Sequence, residues 1–347
     1  MKRFISLAAA LLLLLSLSAC GTPKKAELSL FAMDTYMTLV AYGSKAEDAL
    51  TESSRAINAL EQRLSRTIEG SDVWYINHGG GQVDLTTVEL VEQAFRFSDE
   101  TDGAFDITVA PLVDLWAINS DSPRVPSQAE IDSLLPLVGM EHVYGGISDH
   151  NLSRVNMLFV DDGCAIDLGG IAKGYASDVV AEIFAEHGIK SATISLGGNV
   201  YVRGMRPDGK PWTVAVQDPQ GDGYACLLSL SDTFAVTSGG YQRYFTAPDG
   251  TVYQHIIDPS TGYPAQSDLL SVTVVCPNGT RADAYSTALY VMGEDAAVRF
   301  WENQQGGNNA FEAVLITVDG RIVCTPGLAD HFTVQEDASY EVQFLNR

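Results

Sequence analysis

The chain is poor in basic residues, and we find no cluster of Lys and Arg beyond its N-terminal segment. It contains 21 Lys and Arg against 44 Asp and Glu, which gives a formal net charge of −23. A generic nucleic-acid binder needs a basic patch, so no nucleic acid is expected as a partner. The acidic surface would also repel a polyanionic substrate unless a metal ion or backbone amides neutralised it.

Cysteine is also scarce, and its spacing matches no zinc-binding pattern. The chain has five cysteines, of which Cys164, Cys226, Cys276 and Cys324 follow Cys20 and lie in or beside apolar, strand-like runs. Outside the cytoplasm a disulfide is possible, with three pairings for four cysteines. Buried reduced thiols are the interpretation that we favour.

Long apolar runs are absent except at the N-terminus, where "MKRF" precedes the apolar run "ISLAAALLLLLSLSA". This run is short for a membrane span and is typical of a signal peptide. "LSAC" followed by Gly21 resembles a bacterial lipobox, although an ordinary signal peptide or a short anchor is the alternative. We therefore predict a lipoprotein signal peptide over 1–19 and a lipidated Cys20 with a polar linker over 20–27. Residues 28–347 would then form an extracytoplasmic domain anchored to the cell membrane.

The hydrophobic pattern indicates a mixture of helices and short strands. Residues 28–43 read as one long strand, and Leu50, Ile57, Leu60 and Leu64 mark one face of the helix that follows. A capping box of Ser127 and Glu130 predicts another helix, and 155–168 is strand-like. From Ala192 onward short strands are joined by Gly turns, which favours an α+β fold with antiparallel sheets over regular βαβ alternation. No repeat or linker divides the domain.

Paired glycines occur in three motifs: "AIDLGGIAKGYASD" (165–178), "SLGGNVYVRG" (195–204) and "TSGGYQRYF" (237–245). Glycines between a strand and a helix let backbone amides approach a phosphate. Each pair alone is equally consistent with a tight turn. The spacing of a P-loop is absent, and no helix follows "GGNVYVRG" as a dinucleotide fingerprint requires.

"TRADAYSTALYVMG" (280–293) reads as a helix whose first turn carries oxygen-bearing side chains on one face. Asp283, Ser286 and Thr287 lie at positions i, i+3 and i+4. Such hard oxygen ligands suit Mg²⁺. A capping aspartate with solvent-facing hydroxyls is the alternative, and these residues alone leave both open.

Several motifs in order give a far more specific signal. They are "MDTYMTL", "GAFDITVAPLVDLW", "IDLGGIAKGYASD", "SLGGNVYVRG", "VTSGGYQRYF", "HIIDPSTGYP" and "RADAYSTALYVMG". In this order they resemble the ApbE family of FAD:protein FMN transferases, across residues 33 to 293. The resemblance implies a duplicated, T-fold-like α+β arrangement with antiparallel sheets and flanking helices. It also implies Mg²⁺-dependent transfer of FMN from FAD, the donor substrate, to a Thr or Ser hydroxyl of an acceptor protein, with release of AMP.

The resemblance also assigns residues. The metal ligands would be Asp283, Thr287 and the backbone carbonyl of Gly170, and the expected FAD contacts are Met33, Ala104, Phe105, Asp106, Asp167, Lys173 and Ile257. Thr67 matches too loosely to assign, and Phe105 could equally be a core aromatic. For the general base we choose His255, because imidazole titrates near neutral pH; a hydrogen-bonded turn histidine is the alternative. Asp258 would either hold the local turn or orient the ring of His255.

The expected partners are FMN-binding-domain acceptor proteins, as in Rnf, Nqr or other extracytoplasmic electron-transfer systems. Two other functions stay open. The same metal site could act as an FAD pyrophosphatase, giving FMN and AMP with water as the nucleophile. A non-catalytic flavin-binding lipoprotein is the third, although such binders usually show two lobes with a βαβ rhythm that this chain lacks.

Overall fold

The computed structural model describes residues 23–150, 153–335 and 339–346. The predicted signal peptide and the predicted lipidation site at Cys20 lie outside these residues. Within the described ranges, no helix combines the length and the apolar character needed to cross a lipid bilayer.

The strands are β1 (Lys25–Ala32), β2 (Thr35–Tyr42), β3 (Gly81–Gln82), β4 (Val143–His150), β5 (Ser153–Val160), β6 (Ser191–Leu196), β7 (Asn199–Arg203), β8 (Trp212–Gln217), β9 (Tyr224–Leu230), β10 (Thr233–Gly239), β11 (Tyr244–Thr246), β12 (Val252–Gln254), β13 (Leu269–Cys276), β14 (Glu312–Thr317), β15 (Arg321–Cys324), β16 (Phe332–Val334) and β17 (Glu341–Phe344). The α-helices are α1 (Ala46–Leu64), α2 (Asp72–Asn77), α3 (Leu85–Glu100), α4 (Ala110–Trp116), α5 (Gln128–Leu134), α6 (Ala172–Glu186), α7 (Gly279–Met292) and α8 (Glu294–Gln304). Short 3₁₀ turns cover Ile107–Val109, Leu135–Leu137, Met140–His142 and Pro326–His331.

One large sheet runs through the centre of the molecule, in the order β1-β2-β6-β7-β10-β13-β14-β15-β17. Its neighbouring strands are antiparallel except for the pair β15 and β17 at one edge. The predicted α+β class with antiparallel sheets is therefore confirmed.

The large sheet consists of two halves with the same order of elements. The first half has β1 and β2, then α1 and α6 with further elements between them, then β6 and β7. The second has β10 and β13, then α7 and α8, then β14 and β15. When the elements inserted between α1 and α6 and the hairpin β11-β12 are set aside, both halves follow the order strand–strand–helix–helix–strand–strand, as a duplicated, T-fold-like arrangement predicts.

The three smaller sheets surround this centre. The sheet β16-β9-β8 packs on the second half of the large sheet through a buried cluster that includes Val216, Cys226, Ala235 and Ile316. Sheet β3-β5-β4 is a separate sheet, but Val143 and Leu158 pack into the main core, and β11-β12 forms a further separate hairpin. Near that hairpin, Trp116 is fully buried with Ile131 and Ile257 in a separate small core.

Helices α6 and α7 approach each other closely because each carries a glycine at the contact. A Cβ atom on Gly279 would lie 2.8 Å from the carbonyl oxygen of Gly174, and one on Gly174 would overlap the carbonyl oxygen of Gly279. Asp178 of α6 also caps α7, since its carboxylate accepts from the backbone N–H groups of Gly279 at 2.7 Å and Thr280 at 2.8 Å. This contact holds the first turns of α7 beside the start of α6.

Two strand predictions are wrong. Residues 28–43 form the hairpin β1–β2, because Met33 and Asp34 adopt positive φ angles of 49° and 56° and turn the chain. The apolar alternation continues through this two-residue turn, which lacks the usual Gly or Asn. The predicted strand over 155–168 ends at Val160, because the chain turns there: the N–H of Cys164 bonds to the carbonyl of Asp161, and Gly163 has a positive φ angle of 85°.

The four cysteines after Cys20 are buried free thiols, as we favoured from the sequence. Burial raises the pKa of both Cys226 and Cys324 to about 12. Thiols with such pKa values stay protonated near neutral pH and are therefore unreactive. The predicted capping box of Ser127 and Glu130 is confirmed at the start of α5.

Candidate active site

A cavity of about 960 Å³ opens where the turns of the large sheet meet the starts of α6 and α7. This volume lies at the upper end of the range for small-molecule sites. With one exception, the site residues expected from the sequence within the described ranges all line it: Met33, Ala104, Phe105, Asp106, Asp167, Gly170, Lys173, His255, Ile257, Asp283 and Thr287. The exception is Asp258, which does not line the cavity.

The three expected metal-ligating residues lie together in this cavity. The carboxylate of Asp283 is only 3% exposed, and its Oδ2 accepts from the backbone N–H of Gly174 at 2.8 Å. Thr287 Oγ1 lies one turn along α7 and 3.3 Å from the carbonyl oxygen of Asp283. A Cβ atom on Gly170 would lie 3.9 Å from Thr287 Oγ1, so the turn before α6 comes close to this hydroxyl.

The donor set fits a hard divalent cation that is shared with a ligand. It combines one carboxylate, one hydroxyl and one backbone carbonyl, and Mg²⁺ favours few protein carboxylates together with phosphate and water oxygens. In the part of the chain described here, no cluster of three or more His, Cys, Asp and Glu side chains could hold a metal alone. Burial raises the pKa of Asp283 above its usual value, and the nearby Lys173 ammonium only partly opposes this rise. A bound cation would favour the ionised carboxylate in the same way.

Ser286, the other hydroxyl of the pattern beside Thr287, is not among the residues that line the cavity. It is fully buried, and its Oγ lies 2.8 Å from Ser238 Oγ of β10. Ser238 Oγ also lies 3.2 Å from Thr287 Oγ1, and Ser238 does line the cavity. Sequence reasoning missed Ser238, although the residue belongs to the "VTSGG" motif.

Lys173 and Asp167 flank the glycine turn that precedes α6. Lys173 Nζ donates to the carbonyl oxygen of Gly169 at 2.9 Å and lies 3.7 Å from Asp283 Oδ2. Asp167 Oδ1 accepts from the N–H of Gly169 at 2.7 Å. The two side chains fix the turn, and the ammonium stands beside the oxygen cluster, where an anionic ligand would lie.

Arg66 is a cavity residue that the sequence did not reveal. Its Nε forms an ion pair with Asp167 Oδ2 at 2.9 Å, and its two terminal nitrogens bond to Asp114 at 2.7 and 3.1 Å. Thr67, which matched too loosely to assign, also lines the cavity. No local motif could have indicated Arg66, because its partners are distant in sequence.

Phe105 and Asp106 line the cavity directly before the 3₁₀ turn Ile107–Val109. Phe105 is buried, as a core aromatic would be. Its ring also faces Gly170, since a Cβ atom added to Gly170 would lie 3.2 Å from Phe105 Cε2. Asp106 Oδ1 accepts from the N–H and the hydroxyl of Thr108 at 2.7 and 2.6 Å. Burial raises the pKa of Asp106 above its usual value, and the two hydrogen bonds from Thr108 only partly oppose this rise.

Met33 lies at the cavity mouth, in the hairpin turn with positive φ angles. Its N–H donates to Glu61 Oε1 of α1 at 2.7 Å, and Arg243 Nη2 donates to the carbonyl oxygen of Asp34 at 2.8 Å. These bonds from both sides hold a conformation that non-glycine residues rarely adopt, and such conformations concentrate at functional sites.

His255 lines the cavity and is neutral near neutral pH. Its Nδ1 lies 3.2 Å from the carbonyl oxygen of Arg243, which can only accept, so the hydrogen bond assigns the proton to Nδ1. The pKa of His255 is lowered to about 4, mainly by burial and in addition by the nearby charges of Arg243 and Lys173. The ring therefore does not titrate near neutral pH as expected from sequence, but it is unprotonated there and its Nε2 can accept a proton.

Asp258 holds the local turn, which is one of the two roles that the sequence left open for it. Its Oδ1 accepts from the N–H and hydroxyl of Ser260 at 2.9 and 2.7 Å, and its Oδ2 accepts from Thr261 Oγ1 at 3.0 Å. The neighbouring Ile257 is bridged to Pro264 and packs beside Trp116. Asp258 thus shapes the segment that carries His255 without bonding to its ring.

Fold and site together define a duplicated α+β protein with a nucleotide-sized cavity and a cluster of hard oxygen donors. The model of the ApbE family matches residues 33–311, most of the chain. The protein belongs to the ApbE family.

Individual relatives agree with this assignment. The chain is 32% identical to an FAD:protein FMN transferase of Treponema pallidum over 302 residues, which is 82% of each chain. A crystal structure of the ApbE protein from Thermotoga maritima superposes with a TM-score of 0.77 at 35% identity, covering 86% of this chain and 96% of that one. The flavinyl transferase ApbE from Pseudomonas stutzeri gives a TM-score of 0.74 at 28% identity, over 86% and 92% of the two chains.

Proposed function

We propose that this protein transfers the FMN part of FAD to a threonine or serine hydroxyl of an acceptor protein, with Mg²⁺ bound and AMP released. The observation that carries the proposal is the meeting of Asp283, Thr287 and Gly170 in one cavity that His255 also lines. Flavinyl transferase activity is what the names of the relatives describe. The cavity supplies both an anion-binding centre and a proton acceptor.

FAD would lie between the apolar residues of the cavity and the cluster of oxygen donors. Phe105 and Ile257 offer apolar surface for ring systems, whereas Lys173 supplies a positive charge beside the oxygen cluster. The pyrophosphate would lie near Lys173, where Asp283, Thr287 and the Gly170 carbonyl could share a cation with its oxygens. The net charge of −23 makes such local neutralisation necessary for an anionic substrate.

The proposed reaction is an in-line displacement at phosphorus. His255 Nε2 takes the proton of the acceptor hydroxyl, whose oxygen forms a bond to the phosphorus on the FMN side. The anhydride bond to the AMP phosphate breaks, and AMP leaves with the bonding electron pair. A bound Mg²⁺ would withdraw charge from the pyrophosphate. Lys173 adds a fixed positive charge, and the Arg243 carbonyl keeps the His255 lone pair on Nε2.

We further propose that the protein is exported and anchored to the cell membrane through lipidated Cys20. The lipobox-like "LSAC" sequence supports this location. The acceptors would then be extracytoplasmic FMN-binding domains of Rnf-, Nqr- or similar electron-transfer systems. Acyl labelling of the full-length protein, compared with a Cys20→Ser variant, tests the anchor.

A single incubation tests the activity. The protein is mixed with FAD, Mg²⁺ and the soluble FMN-binding domain of an Nqr-type subunit, and the acceptor is analysed by mass spectrometry after denaturation. An increment of the size of FMN on a Thr or Ser, with one AMP released for each, supports transfer. Free FMN and AMP without labelled acceptor would instead show hydrolysis. Flavin binding without any turnover would show a binding protein.

A further inference from the structure

Two aromatic side chains stand together on the surface at the end of the β1–β2 hairpin. Phe31 is 60% exposed and Tyr36 is 80% exposed. They lie opposite each other in the strand register, with ring centroids 5.2 Å apart and an edge-to-face angle of 72°. Because β1 is an edge strand of the large sheet, Phe31 has a strand neighbour only on the β2 side among the described residues.

This aromatic pair adjoins the mouth of the cavity. The turn that separates Phe31 from Tyr36 contains Met33 and Asp34, which line the cavity, whereas the two aromatic residues do not. From Asp34 the contacts lead directly to the proton acceptor. Arg243 donates to the Asp34 carbonyl at 2.8 Å, and the Arg243 carbonyl oxygen lies 3.2 Å from His255 Nδ1.

We propose that Phe31 and Tyr36 form a docking surface for the acceptor protein, in contact with the segment that carries its hydroxyl. The inference rests on the proposed function. An acceptor polypeptide must bring its Thr or Ser to His255 from outside, and the surface next to the mouth is continuous with that path. A small nucleotide held inside the cavity has no need of side chains that lie outside it.

The chemistry of the surface indicates what the acceptor presents. Aromatic side chains and Arg are enriched where protein partners bind, because they supply a large contact area at a low entropy cost. Arg243 is exposed beside the turn that the pair flanks, and its guanidinium has further N–H groups besides the one bonded to Asp34. The acceptor segment would place an apolar side chain on Phe31 and Tyr36, and main-chain carbonyls near Arg243. The bonds of Met33 and Arg243 keep the hairpin rigid, so little is lost in ordering it.

The test is the double variant Phe31→Ser/Tyr36→Ser, assayed with the soluble FMN-binding domain of an Nqr-type subunit as the acceptor. We expect the KM for the acceptor to rise about 10-fold or more, as for loss of an interface anchor, with little change in kcat at saturating acceptor. The Kd for FAD should stay as in the wild type. Tyr224→Ser is the matched control, since Tyr224 is 53% exposed on β9 and outside the cavity lining.

Three results would overturn the inference. The first is an unchanged KM for the acceptor in a folded double variant. The second is a parallel loss of FAD affinity, which would assign the pair to flavin binding. The third is loss of self-association or of vesicle binding with unchanged acceptor kinetics.

If the double variant does not fold, two other variants test the inference. The exchanged pair Phe31→Tyr/Tyr36→Phe should keep the wild-type KM for the acceptor, and Tyr36→Ser alone should raise it. A wild-type protein that never labels the acceptor would refute the proposed function itself.

Discussion

The two halves of the large sheet share an order of elements but contribute differently to the cavity. The first half supplies most of the expected FAD contacts, among them Met33, Phe105 and Asp167, and lends only a backbone carbonyl to the oxygen cluster. The second half supplies the side chains proposed for the chemistry: Asp283 and Thr287 from α7 and His255 from the segment before β13. The difference suggests that substrate binding and catalysis can be separated by mutation, one half at a time.

The halves also differ in what covers them. The second half is packed under the sheet β16-β9-β8, whereas the hairpin of the first half ends in the exposed Phe31 and Tyr36. The half that holds the reacting groups is therefore buried and braced. The half that shapes the mouth remains open to a partner.

The largest effect is expected from Asp283→Asn. The amide keeps the size of the side chain and can still accept from the Gly174 N–H, but it removes the only carboxylate of the oxygen cluster. Turnover should fall by about 1,000-fold, the upper end of the loss expected when a group that stabilises transition-state charge is removed. The measurement is the rate of acceptor labelling at several Mg²⁺ concentrations. The first-half counterpart, Asp167→Asn, should mainly raise the KM for FAD, and equal losses of kcat in both variants would refute the division between the halves.

A smaller loss, of about 100-fold, is expected from His255→Gln, within the usual contribution of a general base. Because burial holds the pKa of His255 at about 4, the wild-type rate should be flat near neutral pH and fall only as the pH approaches about 4. In the unfolded chain this histidine has a pKa of about 6.5, so below that pH the unfolded chain binds a proton that the folded state does not. The free energy of unfolding therefore decreases as the pH falls from about 6.5 towards 4. The pH profile of kcat checks the assignment, and a midpoint near 6.5 would contradict it.

Gly174→Ala tests the contact that joins the halves. The added methyl group would overlap the carbonyl of Gly279 and the Asp283 Cβ, so we expect destabilisation by about 1–3 kcal/mol. Thermal unfolding measures this loss of stability. Gly188→Ala is not a suitable control, because Gly188 has a positive φ angle of 67°. Ala181→Gly on the same helix gives a better reference, since it should cost only about 1 kcal/mol of helix propensity. If Gly174→Ala is as stable as the wild type, the helices are less tightly opposed than described.

Sequence reasoning located the cavity residues well, because the motifs carry the turns and helix starts that converge there. It placed Asp283 and Thr287 on one helix face from periodicity alone. Other features depend on contacts between distant segments. The Arg66 ion pairs join three separate stretches, and the Met33–Asp34 turn is held by Glu61 and Arg243 rather than by glycine.

The pKa of His255 could not have been predicted, since burial lowers it and burial is set by the assembled fold. The role of Asp258 was undecided for a similar reason. Its hydrogen bonds to Ser260 and Thr261 form within four residues, but sequence alone does not show that the ring of His255 bonds elsewhere.

The smallest effect is expected from Ser238→Ala, a second-half residue that acts on the cluster through Thr287. Its hydroxyl lies between Ser286 and Thr287 at 2.8 and 3.2 Å, so it helps to orient the Thr287 lone pairs toward the cavity. Losing one such hydrogen bond costs about 1 kcal/mol, which corresponds to a several-fold higher Mg²⁺ concentration for half-maximal rate. Mg²⁺ titrations of the labelling rate, with calorimetric Mg²⁺ binding in the presence of FAD, measure the change. Ser195→Ala, on the exposed surface of β6, is the control. A Ser238→Ala variant with an unchanged Mg²⁺ requirement would mean that Thr287 is held by the Asp283 carbonyl alone.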